Sequence, residues 1–222
     1  MLVLEYLVII IYTICLILVF AYSIAQLDLL IKYLKFRKEE RKTKILDLKK
    51  DYIPRVTIQL PIYNEKYVTE RLLLRISEIE YPSEKLDIQV LDDSTDDSVL
   101  QTQKIIDNLK SKGLQISHIR RANRVDFKAG ALRAGLKSAK GEFIAIFDSD
   151  FMPQKDWLLR TVPHFEDESV GVVQTRWGHL NRNYSLITKI QAFALDFHFI
   201  LEQVGRKTDD HFIIFNGTAG IW

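Results

Sequence analysis

Two aspartates one residue apart, Asp148 and Asp150, are the first candidates for chemistry in this sequence. They follow the apolar run 143–147, which is typical of a strand buried on both faces of a parallel sheet. Ligands of open α/β sheets bind at the carboxyl ends of the strands. Two hard oxygen ligands with no His or Cys beside them favour Mg²⁺ or Mn²⁺, held jointly with substrate phosphates. The alternative is that the pair starts a loop and caps a helix before Trp157.

A second pair of carboxylates, Asp92 and Asp93, ends another predicted strand. Clustered carboxylates repel one another, and a divalent cation resolves that repulsion. The same two residues could instead cap the helix that follows Ser94. A dinucleotide-binding fold or a P-loop would show a glycine-rich turn after the first strand, whereas the segment 61–65 contains no glycine. We therefore expect phosphate to be held through a metal rather than by a backbone nest.

Composition excludes several classes of protein. The net charge of +2 gives no indication of a nucleic-acid partner, and the single cysteine, Cys15, rules out an internal disulfide. The five histidines show no zinc-ligand spacing. An aspartyl-phosphate phosphatase also places two aspartates after a strand, but it carries Thr or Val where this chain has Met152, and its motif follows the first strand.

Strands and helices alternate from residue 55 onward, which predicts a largely parallel sheet covered by helices. The predicted strands are 56–60, 86–91, 114–119, 143–147, 170–174 and 212–215. The predicted helices are 67–79, 98–112, 129–138, 157–165 and 183–204. The last helix has one apolar face, which could pack in the core, line a substrate channel or lie on a membrane.

The N-terminal segment 1–27 is apolar enough to span a bilayer. Glu5 stands where a cleaved signal peptide would have a basic start, so we predict a retained transmembrane helix. Residues 28–54 form a basic juxtamembrane linker, either solvated or in contact with anionic lipid. The positive-inside rule then places the third part, residues 55–222, on the cytoplasmic side.

Six segments, in this order, resemble membrane-bound inverting family 2 glycosyltransferases of the cellulose-synthase-like type, which includes glucomannan and β-glucan synthases. The matching segments are 61–65, 89–96, 128–132, 147–151, 174–177 and 215–220. The resemblance implies a GT-A fold, a Rossmann-like, mostly parallel sheet flanked by helices. It also implies transfer of a hexosyl unit from UDP-glucose or GDP-mannose to a growing β-linked polysaccharide, with inversion. The alternatives are a non-processive enzyme with a lipid acceptor and a non-catalytic nucleotide-sugar-binding subunit.

The resemblance also implies a role for individual residues. The donor-binding residues would be Pro61, Tyr63, Asn64, Glu65, Asp92, Asp93, Lys128 and Asp148. The acceptor side would be formed by Gln174, Arg176, Trp177 and Asn216, and the metal would be held by Asp148 and Asp150. From the residues alone, Lys128 could also be a surface lysine and Trp177 a core residue. The family's general base has no counterpart before Trp222 and is expected beyond it, so the sequence reads as the N-terminal part of a longer protein.

Overall fold

The computed structural model describes residues 2–40, 52–208 and 212–222. Two compact units divide the chain, one within residues 1–47 and 176–214 and the other within residues 48–175 and 215–222. The helices are α1 (Leu2–Glu40), α2 (Thr69–Ser77), α3 (Ser98–Ser111), α4 (Phe127–Leu136), α5 (Trp157–Thr161), α6 (Leu186–Phe197) and α7 (Val204–Lys207). The strands are β1 (Val56–Ile62), β2 (Leu86–Asp92), β3 (Ile116–Ile119), β4 (Phe143–Ile146), β5 (Val173–Gln174) and β6 (Gly220–Ile221).

The six strands form one sheet in the order β3-β2-β1-β4-β6-β5. The first four strands are parallel, and β6 runs antiparallel to both β4 and β5. The predicted α/β architecture with a mostly parallel sheet is therefore confirmed. Val56 pairs with both Leu86 and Phe143, so β1, β2 and β4 start level with one another. Their carboxyl ends consequently meet at one edge of the sheet.

The core of the larger unit lies around β1 and β2. Ile58, Leu60, Ile88 and Val90 are completely buried, because helices cover both faces of these strands. Polar side chains within the core bond to each other, as where Gln59 Nε2 donates to Gln89 Oε1 at 3.0 Å. Strand β4 reads as an apolar run, whereas β1 and β2 alternate apolar and polar residues although both of their faces are buried.

The predicted strand 212–215 is wrong, since the last strand is Gly220–Ile221. The side chain of Gln203 accepts from the N–H of Ile214 and donates to its carbonyl oxygen, at 3.1 and 2.6 Å. That side chain therefore takes the place of a sheet neighbour. Gly217 and Ala219 have positive φ angles of 80° and 53°, and the turn they form delays the strand.

Two of the predicted helices are not α-helical throughout in the structure. The helix predicted over 157–165 ends as the 3₁₀ segment Val162–Glu166, since Pro163 removes a donor from the α-helical ladder. The helix predicted over 183–204 begins at Leu186, after a capping box formed by Ser185 and Thr188. It then passes through the π-helical segment His198–Gln203 before α7.

The smaller unit contains α1, which continues past residue 27 into the predicted linker. No Gly or Pro interrupts residues 28–40, and Lys32 pairs with Asp28 one turn away at 2.7 Å. The segment Val3–Lys38 has a mean hydropathy of 2.8 over its most apolar window, none of which is buried, so it is long and apolar enough to cross a membrane. The remainder of the predicted linker falls mostly on residues 41–51, outside the described ranges.

Helix α6 and the segments after it also belong to this unit. The alternative that the apolar face packs in the core does not hold for Leu186, Ile190 and Phe193, which are 72%, 58% and 70% exposed. The buried apolar side chains of the segment are those of Ala192 and Phe199.

Candidate active site

A cleft of about 250 Å³ opens at the edge of the sheet where β1, β2 and β4 end. Its lining includes many of the predicted donor-binding residues, together with residues that the sequence did not single out. The lining residues are Pro61, Ile62, Tyr63, Glu65, Leu91, Asp93, Arg124, Lys128, Ala131, Asp148 and Ser149. A larger groove of about 570 Å³ follows the outer face of α2, but Asp93, Lys128 and Asp148 do not line it. The chemistry therefore points to the smaller cleft.

Asn64 joins the loop after β1 to the loop after β2. Its backbone N–H donates to Ser94 Oγ at 2.9 Å, and its side-chain Oδ1 accepts from the N–H of Thr95 at 2.8 Å. Asn64 has a φ of 54°, a left-handed conformation that Asn tolerates better than most residues. The structure thus shows a bracing role for this residue, which does not line the cleft.

Asp92 is buried behind the cleft and does not line it. One carboxylate oxygen accepts from the N–H of Ser94, and the other lies 2.8 Å from Nε2 of His118, whose Nδ1 is 2.6 Å from Gln103 Oε1. Burial by itself would raise the pKa of Asp92. The hydrogen bonds from His118 and Ser94 outweigh that effect and hold the pKa below its usual value. Asp92 therefore stays ionised and fixes the end of β2.

Asp93, in contrast, does reach the cleft. Arg121 grips it with two donors, Nε at 2.9 Å from Oδ1 and a terminal nitrogen on Oδ2. The same guanidinium also donates to the carbonyl oxygens of Val125 and Phe127. This network ties the segment before α4 to the end of β2. The predicted contact of Asp93 with the nucleoside stays a prediction.

Lys128 and Asp148 form an ion pair on one wall of the cleft. Lys128 Nζ also donates to the carbonyl oxygen of Gly217 at 2.8 Å. The N–H of Asp148 donates to Thr218 Oγ1 at 2.8 Å, so the loop before β6 supports both partners. Lys128 is thus tied to the cleft wall by two hydrogen bonds, and its predicted contact with the donor stays a prediction.

Glu65 completes a group of acidic side chains in the cleft. Burial, followed by the negative charges of Asp150 and Asp148, raises the pKa of Glu65 above its ordinary value. Its Oε2 is buried and has no hydrogen-bond partner among the described residues. An unpaired buried carboxylate oxygen beside two other carboxylates is an arrangement that a cation or a bound ligand would stabilise.

The residues present fit a divalent cation that is shared with phosphate oxygens. Asp148 and Asp150 supply the hard oxygen ligands that Mg²⁺ and Mn²⁺ prefer. Within the described part of the chain, no three His, Cys, Asp or Glu side chains surround one common position. Such a cation would therefore need further oxygen ligands from a substrate, as sites for Mg²⁺ usually do.

The four residues predicted for the acceptor side fall in both units. In the larger unit, Gln174 Nε2 donates to the carbonyl oxygens of Thr218 and Ala219 at 3.1 Å each, and its Oε1 accepts from the N–H of Asn216 at 3.1 Å. Gln174 thus clamps the turn that supports Lys128.

In the smaller unit, Arg176 and Arg182 both pair with Asp196. Trp177 lies against Phe199, with ring centroids 5.5 Å apart. The predicted acceptor role of Arg176 and Trp177 stays a prediction.

Sequence reasoning missed three side chains that shape the site: His118, Arg121 and Arg124. The guanidinium carbon of Arg124 lies 3.3 Å from the centroid of the Tyr63 ring, on one wall of the cleft. The available signal was three arginines within residues 120–124, directly after β3 and therefore at the same edge of the sheet as the acidic strand ends.

Known proteins resemble this chain in sequence and in fold. The family model described as "Glycosyl transferase family 2" matches residues 57–220. A probable glucomannan 4-beta-mannosyltransferase 7 of Oryza sativa subsp. japonica is 41% identical over 174 residues, which is 76% of this chain and 30% of that protein. A probable glucomannan 4-beta-mannosyltransferase 15 of Arabidopsis thaliana is 37% identical over 218 residues, which is 92% of this chain and 40% of that protein. The chain thus spans well under half the length of these two plant relatives.

Among solved structures, the mannosyltransferase PcManGT from Pyrobaculum calidifontis, in complex with GDP-Man and Mn²⁺, has a TM-score of 0.64 to this chain. It is 26% identical in sequence, and the match covers 91% of this chain and 54% of that one. The similarity therefore extends over nearly the whole chain in structure as well as in sequence.

Proposed function

Because the chain belongs to glycosyl transferase family 2, we propose that the whole protein transfers a mannosyl unit from GDP-mannose to a growing β-linked polysaccharide, with inversion. The relatives named as glucomannan mannosyltransferases favour mannose over glucose and a glycan over a lipid acceptor. The solved relative bound to GDP-Man favours the same donor over UDP-glucose.

The observation that carries this proposal is the convergence of acidic and basic side chains at one edge of the sheet. Glu65, Asp148 and Asp150 interact electrostatically, and Lys128 bonds to Asp148 beside them. This mixture suits a nucleotide sugar, since a diphosphate needs cations while a metal-binding wall needs carboxylates.

Each of these residues has a proposed task in the reaction. Asp148 and Asp150 would hold Mg²⁺ or Mn²⁺ together with the phosphate oxygens of the donor, and the cation would supply charge stabilisation for the departing diphosphate. Lys128 adds a second positive charge on the same side of the cleft. Tyr63 offers a ring face to the nucleoside.

We further propose that α1 anchors the protein in a membrane with the catalytic domain on the cytoplasmic side. The basic residues after the apolar part of α1, among them Lys32, Lys35, Arg37 and Lys38, support this orientation through the positive-inside rule. In sealed inside-out vesicles, protease should cut the segment around Lys50. Protection of that segment would contradict the orientation.

A titration of the 222-residue chain in detergent tests the donor. GDP-mannose should bind in the presence of Mn²⁺, more tightly than UDP-glucose, and Asp150→Asn should remove most of the dependence on metal because it deletes a charged ligand. Equal affinity for GDP-mannose with and without Mn²⁺ would contradict the metal-diphosphate site. Preference for UDP-glucose would contradict the proposed mannosyl transfer and indicate glucosyl transfer instead.

A further inference from the structure

Two cationic side chains line the cleft, Lys128 and Arg124, and they differ in whether a carboxylate pairs with them. Asp93 is held by Arg121, and Lys128 is held by Asp148. Arg124 forms no ion pair with any residue of the described ranges, although its side chain lines the same cleft. Its guanidinium therefore presents an uncompensated positive charge to a ligand that enters.

The position of Arg124 leaves one of its donors unused. The guanidinium carbon lies 3.3 Å from the ring centroid of Tyr63 and 5.0 Å from that of Phe127. Stacking on rings is favourable for a guanidinium, but it satisfies none of the N–H groups. Nε is buried and has no hydrogen-bond partner within the described part of the chain. An unsatisfied buried donor next to an open cleft indicates that the side chain of Arg124 changes position when a ligand binds.

The backbone that carries Arg124 has an unusual conformation. Asp126 and Phe127 both have positive φ angles, 59° and 45°, directly before Lys128. A bulky residue such as Phe is rarely found in this region of backbone space, and such conformations concentrate at ligand-binding segments. The conformation brings Arg124 and Lys128 to the same cleft although the segment between them is short.

We propose that Arg124 binds the diphosphate of the donor, and that it leaves the ring of Tyr63 to do so. This inference rests on the proposed function. The planar fork of a guanidinium matches two phosphate oxygens at once, and Nε can be one of the two donors. Lys128 already bonds to Asp148 and to a carbonyl oxygen, so Arg124 is the cation that is free to change partner. The same movement uncovers the face of Tyr63 on which a base can stack.

Calorimetric titration of the 222-residue chain in detergent micelles tests this role. The probes are GDP and UDP, their nucleosides guanosine and uridine, and inorganic pyrophosphate, each with and without Mn²⁺. Arg124→Gln should weaken binding of the preferred nucleoside diphosphate by about tenfold or more, and binding of its nucleoside by less than about twofold, since the lost contact is a charged hydrogen bond to phosphate. Arg133→Gln is the matched control, because Arg133 lies on α4 outside the cleft with a side chain that is 70% exposed.

A second variant tests the change of partner. Tyr63→Leu removes the ring on which Arg124 rests, so inorganic pyrophosphate should bind about threefold more tightly, because the competing position is no longer populated. Circular dichroism establishes that the variants are folded. Unchanged pyrophosphate affinity in Tyr63→Leu would contradict the movement.

The outcomes separate this inference from the function on which it rests. If the unmodified chain binds neither GDP nor UDP, the proposed function is wrong. If it binds one of them and Arg124→Gln binds it equally well, only the role of Arg124 is wrong. Equal losses for Arg124→Gln and Arg133→Gln would show a general effect of charge and would also contradict that role.

Discussion

Lys128 and Asp148 are bonded to each other at the wall of the cleft, one at the N-terminal end of α4 and the other just after β4. Each neutralises the other in the absence of a ligand. The ammonium of Lys128 also donates to the carbonyl oxygen of Gly217. A divalent cation that binds Asp148 must therefore compete with the positive charge of Lys128.

This competition predicts how metal and nucleotide depend on each other. In Lys128→Met, Mn²⁺ alone should bind about tenfold more tightly, because a positive charge has been removed from beside a metal ligand. GDP should bind more weakly in the same variant, since its diphosphate loses the positive charge of Lys128. Electron paramagnetic resonance of free Mn²⁺ measures the first effect and calorimetry the second. Lys137→Met, an exposed change at the C-terminal end of the same helix, serves as the control. Weaker binding of Mn²⁺ to Lys128→Met would contradict the competition.

Asp92 should stabilise the fold in a manner that depends on pH. Its pKa in the folded protein lies below the usual value of about 3.9, so its contribution is fully present above that pH and is lost as the pH falls through the lower, folded pKa. Asp92→Asn should cost about 2 kcal/mol at pH 7, because charged hydrogen bonds to His118 and Ser94 are lost. Urea unfolding at pH 7 and near pH 3 measures this, and the difference between the two proteins should shrink at the lower pH. A constant difference would show that the charge of Asp92 does not matter.

The positions of the acidic residues could be predicted from the sequence because the strands before them are unambiguous. The segment of β4 is a short apolar run, and those of β1 and β2 alternate apolar with polar residues. Parallel strands bring their carboxyl ends to one edge. Asp93 and Asp148 therefore lie at the same edge of the sheet, where both line the cleft. Nothing in the sequence shows that Asp92 turns away from the cleft, since that depends on the distant partner His118.

Other features depend on contacts that have no local signature. The apolar segment 212–215 reads as a strand, but Gln203 bonds both backbone groups of Ile214. The two-residue strand Gly220–Ile221 is too short to produce a periodic pattern. Arg124 looks like any basic loop residue until the fold places it on Tyr63. The periodicity of apolar residues does not show which single side chains pair over long distances in the sequence.

The left-handed backbone at Asp126 predicts that the usual order of stability of Ala and Gly variants is reversed at this position. In ordinary helical or extended backbone, Ala is more stable than Gly by about 0.5–1 kcal/mol. At a φ of 59°, Gly meets no steric penalty, so Asp126→Gly should be more stable than Asp126→Ala by about 1 kcal/mol. Both variants lose the exposed pair with Arg133, which removes that contact from the comparison. Urea unfolding measures the difference, and a more stable Ala variant would contradict the assigned conformation.

Gly130 offers the sharpest test of how the segment before Lys128 is held. A Cβ atom at this position would lie 2.1 Å from the carbonyl oxygen of Val125 and 2.5 Å from a terminal nitrogen of Arg121. The first neighbour is backbone, so it cannot rotate away and the segment must shift. That shift disturbs the grip of Arg121 on Asp93.

Gly130→Ala should therefore cost at least about 1–3 kcal/mol of stability, the usual range for overpacking. It should also weaken GDP binding, because the displaced segment carries Arg124. Gly171→Ala is the matched control, since no atom lies within 4 Å of its Cβ position and its φ is not in the left-handed region. The control should be neutral or slightly stabilising, by up to about 1 kcal/mol, through a reduced entropy of the unfolded chain. Urea unfolding and calorimetry applied to both variants separate the two cases. Equal stability of the two would mean that the contact between Gly130 and Val125 does not constrain this segment.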